Sequence, residues 1–324
     1  MIDVLQLSPY APDEINVELQ DRFALFKYWQ IREDEDLLSQ ILPRIRVVAT
    51  KGDIGLDGDL MAALPNLELI TVYGVGFDKI DLDQAKSRGI KVTTTPDALT
   101  DAVADHAVAL ALASTRRVAE GDSFIRQGKW LEGKLGIGQS LRGKTLGILG
   151  YGRVGQRVAK IMRDAFDMRV LYCDRSQNDK RDGGYRSTPL ELAAESDVLV
   201  LAASGNPTTK NIIDINVLEA LGRTGLLINI ARGSLINTQH LISALEARKL
   251  GAAALDVFPD EPNVPNELIS SPYTTLTPHL ASATIETRLE MGRQVIENIS
   301  SWHQKREVFS QLNFLKTSTS FKFT

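Results

Sequence analysis

The segment KTLGILGYGRVGQRVAKIM, residues 144–162, decides the fold. Its apolar run, TLGIL, is typical of a buried strand and leads into three glycines and then into a helical pattern. A strand, a G-x-G-x-x-G turn and a helix form the start of a dinucleotide-binding βαβ unit. In such a unit Gly150 permits the tight turn, Gly152 lets the backbone approach a pyrophosphate, and Gly155 permits close packing of helix on strand.

Two features around this turn indicate its ligand. The amides of Arg153 and Val154 open the helix and would meet a pyrophosphate at its positive end. The next predicted strand ends at Asp174, 174 − 155 = 19 residues after the last glycine, near the spacing of about 20 expected for a ribose-binding carboxylate. Asp174 favours NAD because it would repel a 2′-phosphate, whereas Arg175 and Ser176 would accept one. We therefore predict NAD, with NADP as the alternative; a turn without ligand is the other interpretation of the glycines.

Apolar runs alternate with helix-length segments along most of the chain. An early series reads RIRVVAT, LELITVYGV and GIKVTTT, and a later one reads KTLGILG, MRVLYCD, SDVLVLAA, GLLINIA and GAAALDVF. Such alternation predicts parallel sheets covered by helices. Long helical patterns over residues 98–118 and 283–302 flank the later series. We expect an α/β protein of two doubly wound parallel-sheet lobes, with a Rossmann cofactor domain (residues 99–285) inserted in a discontinuous flavodoxin-like substrate domain (residues 1–98 and 286–324).

Composition excludes several other classes of protein. The 324 residues include 37 Lys and Arg against 41 Asp and Glu, a net charge of −4 that argues against a nucleic-acid partner. The amino terminus lacks the basic start and apolar stretch of a secretory signal, and the most apolar run, residues 102–114, is shorter than the roughly 20 residues that span a bilayer. The single cysteine, Cys173, cannot form an internal disulfide. A cytoplasmic protein without a membrane partner is the expectation.

One of the four histidines is the candidate acid–base group. His106, His240 and His303 lie in helical patterns, where histidines usually pack or face solvent. His279, in TTLTPHLAS, follows a short predicted strand, and α/β sheets collect their ligands beyond the carboxyl ends of the strands. An imidazole that titrates near neutrality can donate a proton to a ketone oxygen and accept one in the reverse direction.

Two further charged residues follow neighbouring predicted strands. Glu261, in ALDVFPDEP, would orient the ring of His279 and favour its protonated form, with Asp260 as a local competitor. Arg232, in LLINIARGSLIN, would bind a substrate carboxylate with both arms of its guanidinium. No cluster of metal ligands is evident, and no metal is predicted.

Six ordered motifs carry a resemblance that covers nearly the whole chain: VYGVGFDKIDL, RGIKVTTTPDALTDAVADHAVAL, ILGYGRVGQRVAK, INIARGSLIN, GAAALDVFPDEP and TPHLASATIETR. The sequence resembles the D-isomer-specific 2-hydroxyacid dehydrogenases, most closely their glyoxylate/hydroxypyruvate reductase and hydroxyphenylpyruvate reductase branch. The resemblance implies reduction of a short 2-keto acid to the D-2-hydroxy acid by NAD(P)H. It also implies that Arg232 binds the substrate carboxylate and that Glu261 and His279 form the acid–base pair.

The same resemblance implies further site residues. The backbone amides of Val75 and Gly76 would help to hold the substrate carboxylate, unless this segment is only a turn. Asp256 would face the nicotinamide carboxamide, or else be a buried carboxylate bonded to backbone. Thr209 would line the cofactor cleft, and Ala231 is expected at the cofactor as well.

Several features leave alternatives open. Lys51 stands where relatives often have an uncharged residue, so it either favours a second anionic group on the substrate or points to water. Trp130 lies in a segment that wraps round a second subunit in relatives. A homodimer is therefore expected, with Trp130 either reaching the partner's site or packing in the interface. A dinucleotide-sensing interaction protein similar to the C-terminal binding protein corepressors is the alternative function.

Overall fold

The computed structural model describes residues 1–175, 177 and 182–312. The described chain divides into two compact units, one formed by residues 1–99 and 283–312 and the other by residues 100–282. The candidate phosphate-binding Ser176 and the tail from residue 313 onward lie outside the described residues. No helix among the described residues is both long enough and apolar enough to cross a membrane.

The first unit is built on a sheet of five parallel strands in the order β2-β1-β3-β4-β5, the order of flavodoxin-like folds. Its strands are β1 (Asp3–Gln6), β2 (Ala24–Lys27), β3 (Val47–Lys51), β4 (Leu69–Tyr73) and β5 (Lys91–Thr93). Its helices before the crossing to the second unit are α1 (Glu14–Arg22), α2 (Tyr28–Ile31), α3 (Glu35–Ile41), α4 (Gly58–Ala62) and α5 (Leu82–Ser87).

The chain crosses to the second unit in α6 (Pro96–Thr115), which is followed by α7 (Val118–Arg126). The second sheet has seven parallel strands in the order β12-β11-β10-β9-β6-β7-β8. Its strands are β6 (Thr145–Leu149), β7 (Arg169–Cys173), β8 (Gly184–Tyr185), β9 (Val198–Leu201), β10 (Leu226–Asn229), β11 (Ala252–Leu255) and β12 (Thr274–Leu276). The remaining helices are α8 (Arg153–Phe166), α9 (Pro189–Ala194), α10 (Ile215–Leu221), α11 (Thr238–Glu246), α12 (Asn266–Ser270) and α13 (Ile285–Lys305), of which α13 belongs to the first unit.

Burial explains why short apolar runs become strands. Every residue of β9 and β10 is buried, as expected for parallel strands covered on both faces. In the first unit α13 packs on β4 and α1, and its Gly292 lies so close to Ile15 that a Cβ there would approach that side chain to 2.7 Å. The Tyr73 hydroxyl lies 2.6 Å from the Ala11 carbonyl and 3.0 Å from the Arg288 carbonyl of α13, so its hydrogen is shared between the two. The helix that returns from the second unit thus completes the core of the first.

The two doubly wound parallel sheets confirm the predicted fold class, but one helix boundary and several short strands differ. The helix predicted over residues 98–118 ends at Thr115, because Arg117 adopts a left-handed backbone (φ 55°) and α7 begins anew after it. The strands β1 and β2 were not predicted. They are four residues long, and β2 is a half-buried edge strand without a β-branched run.

Candidate active site

Three adjacent strands of the second sheet end beside the candidate catalytic residues. Strands β10, β11 and β12 are neighbours and parallel, so their carboxyl ends share one edge of the sheet. Arg232 follows β10, Glu261 follows β11 and His279 follows β12. These three residues therefore come from consecutive loops at the edge where α/β sheets bind ligands.

The imidazole of His279 and the carboxylate of Glu261 are in direct contact. His279 Nδ1 lies 2.8 Å from Glu261 Oε2, while Glu261 Oε1 accepts a hydrogen bond of 2.9 Å from the amide of Phe258. An ionised carboxylate only accepts, so Nδ1 carries the hydrogen and Nε2 is the free edge of the ring. The side chains are 46% and 32% exposed respectively, which leaves that edge accessible to a small molecule.

The turn that carries His279 has an unusual backbone. His279 adopts a left-handed conformation with φ 52°, a region that side-chain-bearing residues enter at a cost of roughly 1–3 kcal/mol. Its amide donates to the carbonyl of Asp256 at 2.9 Å and lies 3.1 Å from the carbonyl of Thr277. Hydrogen bonds to the loop that follows β11 therefore offset the strain.

Asp256 holds the same turn through its side chain. The carboxylate is fully buried and accepts from the amides of Leu280 at 2.8 Å and Ala281 at 3.0 Å, and from the Thr277 hydroxyl at 2.6 Å. Asp256 is thus a buried carboxylate bonded to backbone, and the contact with the nicotinamide carboxamide that the resemblance implies stays a prediction.

The charge of Asp256 is stabilised from a third element. His106, on α6, places Nε2 3.2 Å from Asp256 Oδ1 and 3.1 Å from the Thr277 hydroxyl. Burial alone would raise the pKa of Asp256, but the hydrogen bonds from His106, Thr277 and the two amides outweigh it and lower that pKa. The carboxylate is accordingly ionised at neutral pH.

Arg232 leaves the sheet in an extended backbone conformation. Its aliphatic stem packs against Gly205, where a Cβ would come within 2.9 Å of Arg232 Cγ, and its Nη1 donates to the carbonyl of Ala231 at 2.6 Å. Ala231 is itself buried, with its amide bonded to the side chain of Asn229. Arg232 is half-buried, and it follows β10, the neighbour of the strand that precedes Glu261.

A cavity of about 290 Å³ adjoins the His279–Glu261 pair. Its walls are largely apolar and come from the end of β12 and the loops after β11 and β12: Phe258, Pro262, Val264, Leu276, Thr277 and Pro278. This volume is near the lower end of the roughly 300–1,000 Å³ of small-molecule sites. Both members of the pair line this space.

The glycine turn after β6 fits a dinucleotide pyrophosphate. Gly150 has φ 92°, and a Cβ there would lie 2.5 Å from the amide of Ala203 in the loop after β9. A Cβ on Gly155 would lie 2.3 Å from the carbonyl of Gly150, so only glycine lets α8 approach the turn this closely. At Gly152 a Cβ would meet nothing within 4 Å, so the backbone borders open space. The turn lies at β6 and β9, where the strand order reverses and such sheets bind nucleotides.

The helix start and the next strand end supply the remaining cofactor candidates. Helix α8 begins at Arg153 without an acidic side chain in its first turn, so the amides of Arg153 and Val154 keep the positive end of the helix available. Asp174 directly follows β7, and its Oδ1 accepts the amide of Arg175 at 2.8 Å. The Arg175 side chain is exposed.

Thr209 lies in the loop that follows β9, and its expected place at the cofactor stays a prediction. The residue is fully buried, and its hydroxyl bonds the carbonyls of Ser204 and Asn206 at 2.9 and 3.1 Å and accepts from the Asn206 amide at 3.0 Å. Its side chain therefore stabilises the loop after β9, and any contact with the cofactor would come from that loop.

The predicted substrate amides lie in the first unit. Val75 and Gly76 follow β4, and Gly76 lies against Gly52, where a Cβ would come 2.9 Å from the Gly76 carbonyl. Lys51 ends β3 in register with Tyr73 of β4, so it belongs to the same edge of this sheet. Its side chain is half-exposed.

Two residues beside the pair, His106 and Thr277, were not identified from the sequence. They are 171 positions apart, and His106 sits in an apolar helical pattern that favours packing. Only the burial of the Asp256 carboxylate reveals that it needs donors around it. Across the described part of the chain, no group of three or more His, Cys, Asp or Glu side chains could hold a metal ion.

Comparison with known proteins identifies the family. Residues 108–281, more than half of the chain, match the family model described as D-isomer specific 2-hydroxyacid dehydrogenase, NAD binding domain. Over 300 residues the chain is 41% identical to glyoxylate/hydroxypyruvate reductase A of Arabidopsis thaliana, covering 93% of this chain and 95% of that protein. It is also 41% identical to the hydroxyphenylpyruvate reductase of Plectranthus scutellarioides, with the same coverage.

A solved structure agrees with these relatives. The NADPH-dependent glyoxylate/hydroxypyruvate reductase of Sinorhizobium meliloti, in complex with NADP and malonate, superposes with a TM-score of 0.90 at 34% identity, covering 96% of each chain. The predicted nicotinamide dinucleotide cofactor and the predicted oxidoreductase class are thereby confirmed. The chain belongs to the D-isomer-specific 2-hydroxyacid dehydrogenases, the family that its six motifs resemble.

Proposed function

We propose that the protein reduces a short 2-keto acid, such as glyoxylate, hydroxypyruvate or an aryl pyruvate, to the D-2-hydroxy acid. The observation that carries this proposal is the 2.8 Å contact between His279 and Glu261 beside an open cavity. The names of the relatives support this class of substrate. When bound, the reduced nicotinamide supplies the hydride that C2 of the keto acid receives.

The residues of this chain would supply position, charge and a proton. Glu261 holds Nδ1 of His279, so Nε2 donates its proton to the carbonyl oxygen as that oxygen gains charge, and Glu261 stabilises the imidazolium beforehand. Arg232 binds the substrate carboxylate and polarises the adjacent carbonyl, aided by the amides of Val75 and Gly76. In the oxidative direction neutral His279 takes the hydroxyl proton back.

The cofactor would be held by the glycine turn and the end of β7. The amides of Arg153 and Val154 meet the pyrophosphate, and Asp174 binds the adenosine ribose. We propose NAD as the preferred form because Asp174 directly follows the strand, with NADP as the competitor. Arg175 and the NADPH dependence named for the Sinorhizobium meliloti relative support that competitor.

The two units would divide the work of the enzyme. We propose the division predicted from the sequence, with residues 1–98 and 286–324 as the substrate domain and residues 99–285 as the cofactor domain. The relatives reported above are named as reductases, so nothing among them favours the corepressor-like alternative.

A homodimer in the cytoplasm, without a nucleic-acid partner, completes the proposal. No residue of α7 is buried, and the segment after it presents Trp130, Leu131 and Ile137 at 67%, 95% and 97% exposure in the single chain. A second copy of the chain would cover this apolar segment. Sedimentation equilibrium is expected to give twice the mass of 35.6 kDa, and a monomer at all concentrations would contradict the dimer.

A steady-state matrix tests the activity. NADH and NADPH are each assayed against glyoxylate, hydroxypyruvate and hydroxyphenylpyruvate. The controls are buffer without a keto acid and an Arg232→Met variant. We expect rapid cofactor oxidation with at least one keto acid, higher kcat/KM with NADH, and a large rise in KM in the variant. Tight cofactor binding without turnover of any keto acid would reject the enzyme and support the sensor.

A further inference from the structure

A buried cluster under the proposed acid–base pair has no role in the reaction as described above. It consists of Asp256 after β11, Thr277 after β12 and His106 on α6. Asp256 is fully buried, and the His106 side chain is 18% exposed. A buried charge needs a complete set of donors, so each partner in this cluster has a structural consequence.

The hydrogen bonds of the cluster assign the proton on His106. The Thr277 hydroxyl donates its only hydrogen to Asp256 at 2.6 Å, and the ionised carboxylate can only accept. Both groups that Nε2 of His106 contacts are therefore acceptors toward it. Nε2 carries a hydrogen that it shares between the two oxygens.

The same carboxylate fixes the segment that holds His279. Residues 277, 279, 280 and 281 all bond to Asp256, three through its side chain and His279 through its backbone carbonyl. Because His279 sits at φ 52°, these bonds are needed to hold its ring where Nδ1 meets Glu261. Glu261 is anchored separately by the amide of Phe258, so a shift of the turn would separate the pair.

We propose that His106 is a positioning residue, which through Asp256 and Thr277 sets the turn that joins His279 to Glu261. The proposal rests on the proposed acid–base role of His279. Helix α6 thereby acts on the reacting edge of the imidazole without touching substrate. Loss of the His106 donor would loosen the turn and weaken the support that Glu261 gives to the imidazolium.

The test compares His106→Leu, which removes the donor, with His106→Gln, which retains an N–H near the same place. His303→Leu, an exposed histidine on α13, is the matched control. We expect His106→Leu to lower kcat about tenfold to a hundredfold, with the fall in reduction rate at high pH beginning at lower pH. His106→Gln should restore most of kcat and most of the pH at which the rate falls. The control variant His303→Leu should resemble the wild type in both.

A second readout separates this proposal from the proposed function. The imidazole resonances of the four histidines are titrated by NMR without substrate, and His279 is assigned by its absence in His279→Gln. The His279 titration should move to lower pH in His106→Leu and return in His106→Gln. If the wild type reduced no keto acid, the proposed function would fail while this titration still decided the positioning role.

A folded His106→Leu protein in which His279 titrates as in the wild type would overturn the proposal, whatever its rate. If His106→Leu does not fold, Thr277→Val takes its place, because it removes the hydroxyl between His106 and Asp256. A shifted His279 titration in Thr277→Val then supports the proposal, and an unshifted one overturns it.

Discussion

At the scale of single residues, the site depends on which ring nitrogen of His279 is hydrogen-bonded and which can reach a substrate. Nδ1 is bound to Glu261, so chemistry at this ring is confined to Nε2. The backbone strain at φ 52° means that the ring direction is set by neighbouring hydrogen bonds and not by local preference. Replacing the ring therefore removes the proton donor without removing the scaffold around it.

His279→Gln is expected to lower turnover by about 10²- to 10⁴-fold, the usual contribution of a positioned acid–base group. The dissociation constant for NADH, measured by fluorescence titration, should stay nearly unchanged because three strands separate the strand before this residue from the strand before the glycine turn. His303→Gln serves as the control. Near-normal turnover by His279→Gln would remove this residue from the mechanism.

Asp174→Asn is expected to raise kcat/KM for NADPH relative to NADH by at least about tenfold. Removal of one negative charge beside a 2′-phosphate is worth on the order of 1–4 kcal/mol at about 4 Å. The control is Asp167→Asn, an exposed carboxylate on the same unit. An unchanged ratio would mean that Asp174 does not face the ribose.

The sequence identifies charged residues at strand ends but not their supports. Arg232, Glu261 and His279 can be found because each follows a recognisable apolar strand. The bonds of Asp256 depend on a histidine 150 positions earlier in the chain, and no local pattern encodes that distance. Asp256 itself was assigned to the cofactor, and only its burial reveals its bonds to the turn.

At the scale of elements, the strand–turn–helix unit from β6 to α8 is the most predictable part of the molecule. Two of its glycines, Gly150 and Gly155, are required because a Cβ there would come within 2.5 and 2.3 Å of neighbouring backbone. By contrast, the break between α6 and α7 comes from the left-handed backbone of Arg117. No glycine or proline at that position predicts the break. Strands β1 and β2 escape prediction because polar residues interrupt their short apolar runs, Asp3 and Gln6 in β1 and Lys27 in β2.

Gly155→Ala should weaken both the fold and the cofactor site. The added Cβ would force α8 away from the turn, and strain of this kind costs about 1–3 kcal/mol. Urea unfolding and NADH titration measure the two effects. The wild type is the reference, and unchanged stability and affinity in Gly155→Ala would show that the helix tolerates the extra atom.

At the scale of the whole molecule, the single cysteine reports on unfolding. Burial, with the negative charges of Asp174 and Glu191, raises the pKa of the Cys173 thiol to about 12. The folded protein should therefore resist alkylation by iodoacetamide at pH 8.5 and react only when unfolded by urea. Rapid labelling of the native protein, followed by mass spectrometry, would contradict this environment.

The raised pKa of the Cys173 thiol also changes the free energy of unfolding at alkaline pH. The thiol pKa is raised on folding from about 8.5, so its contribution to stability is complete below pH 8.5 and declines as the pH rises toward 12. Comparison with Cys173→Ala isolates this effect. The wild type should lose stability relative to the variant between pH 8.5 and 10, measured by urea unfolding.

The return of α13 to the first unit also dictates an order of events on the ribosome. Strand β4 is finished early, but the helix that packs on it is translated only after the whole second unit. At roughly 5–20 residues per second, the intervening stretch takes on the order of 10–40 s to synthesise. During that interval an apolar face of the nascent amino-terminal sheet stays uncovered. Molecular chaperones are expected to bind such a face.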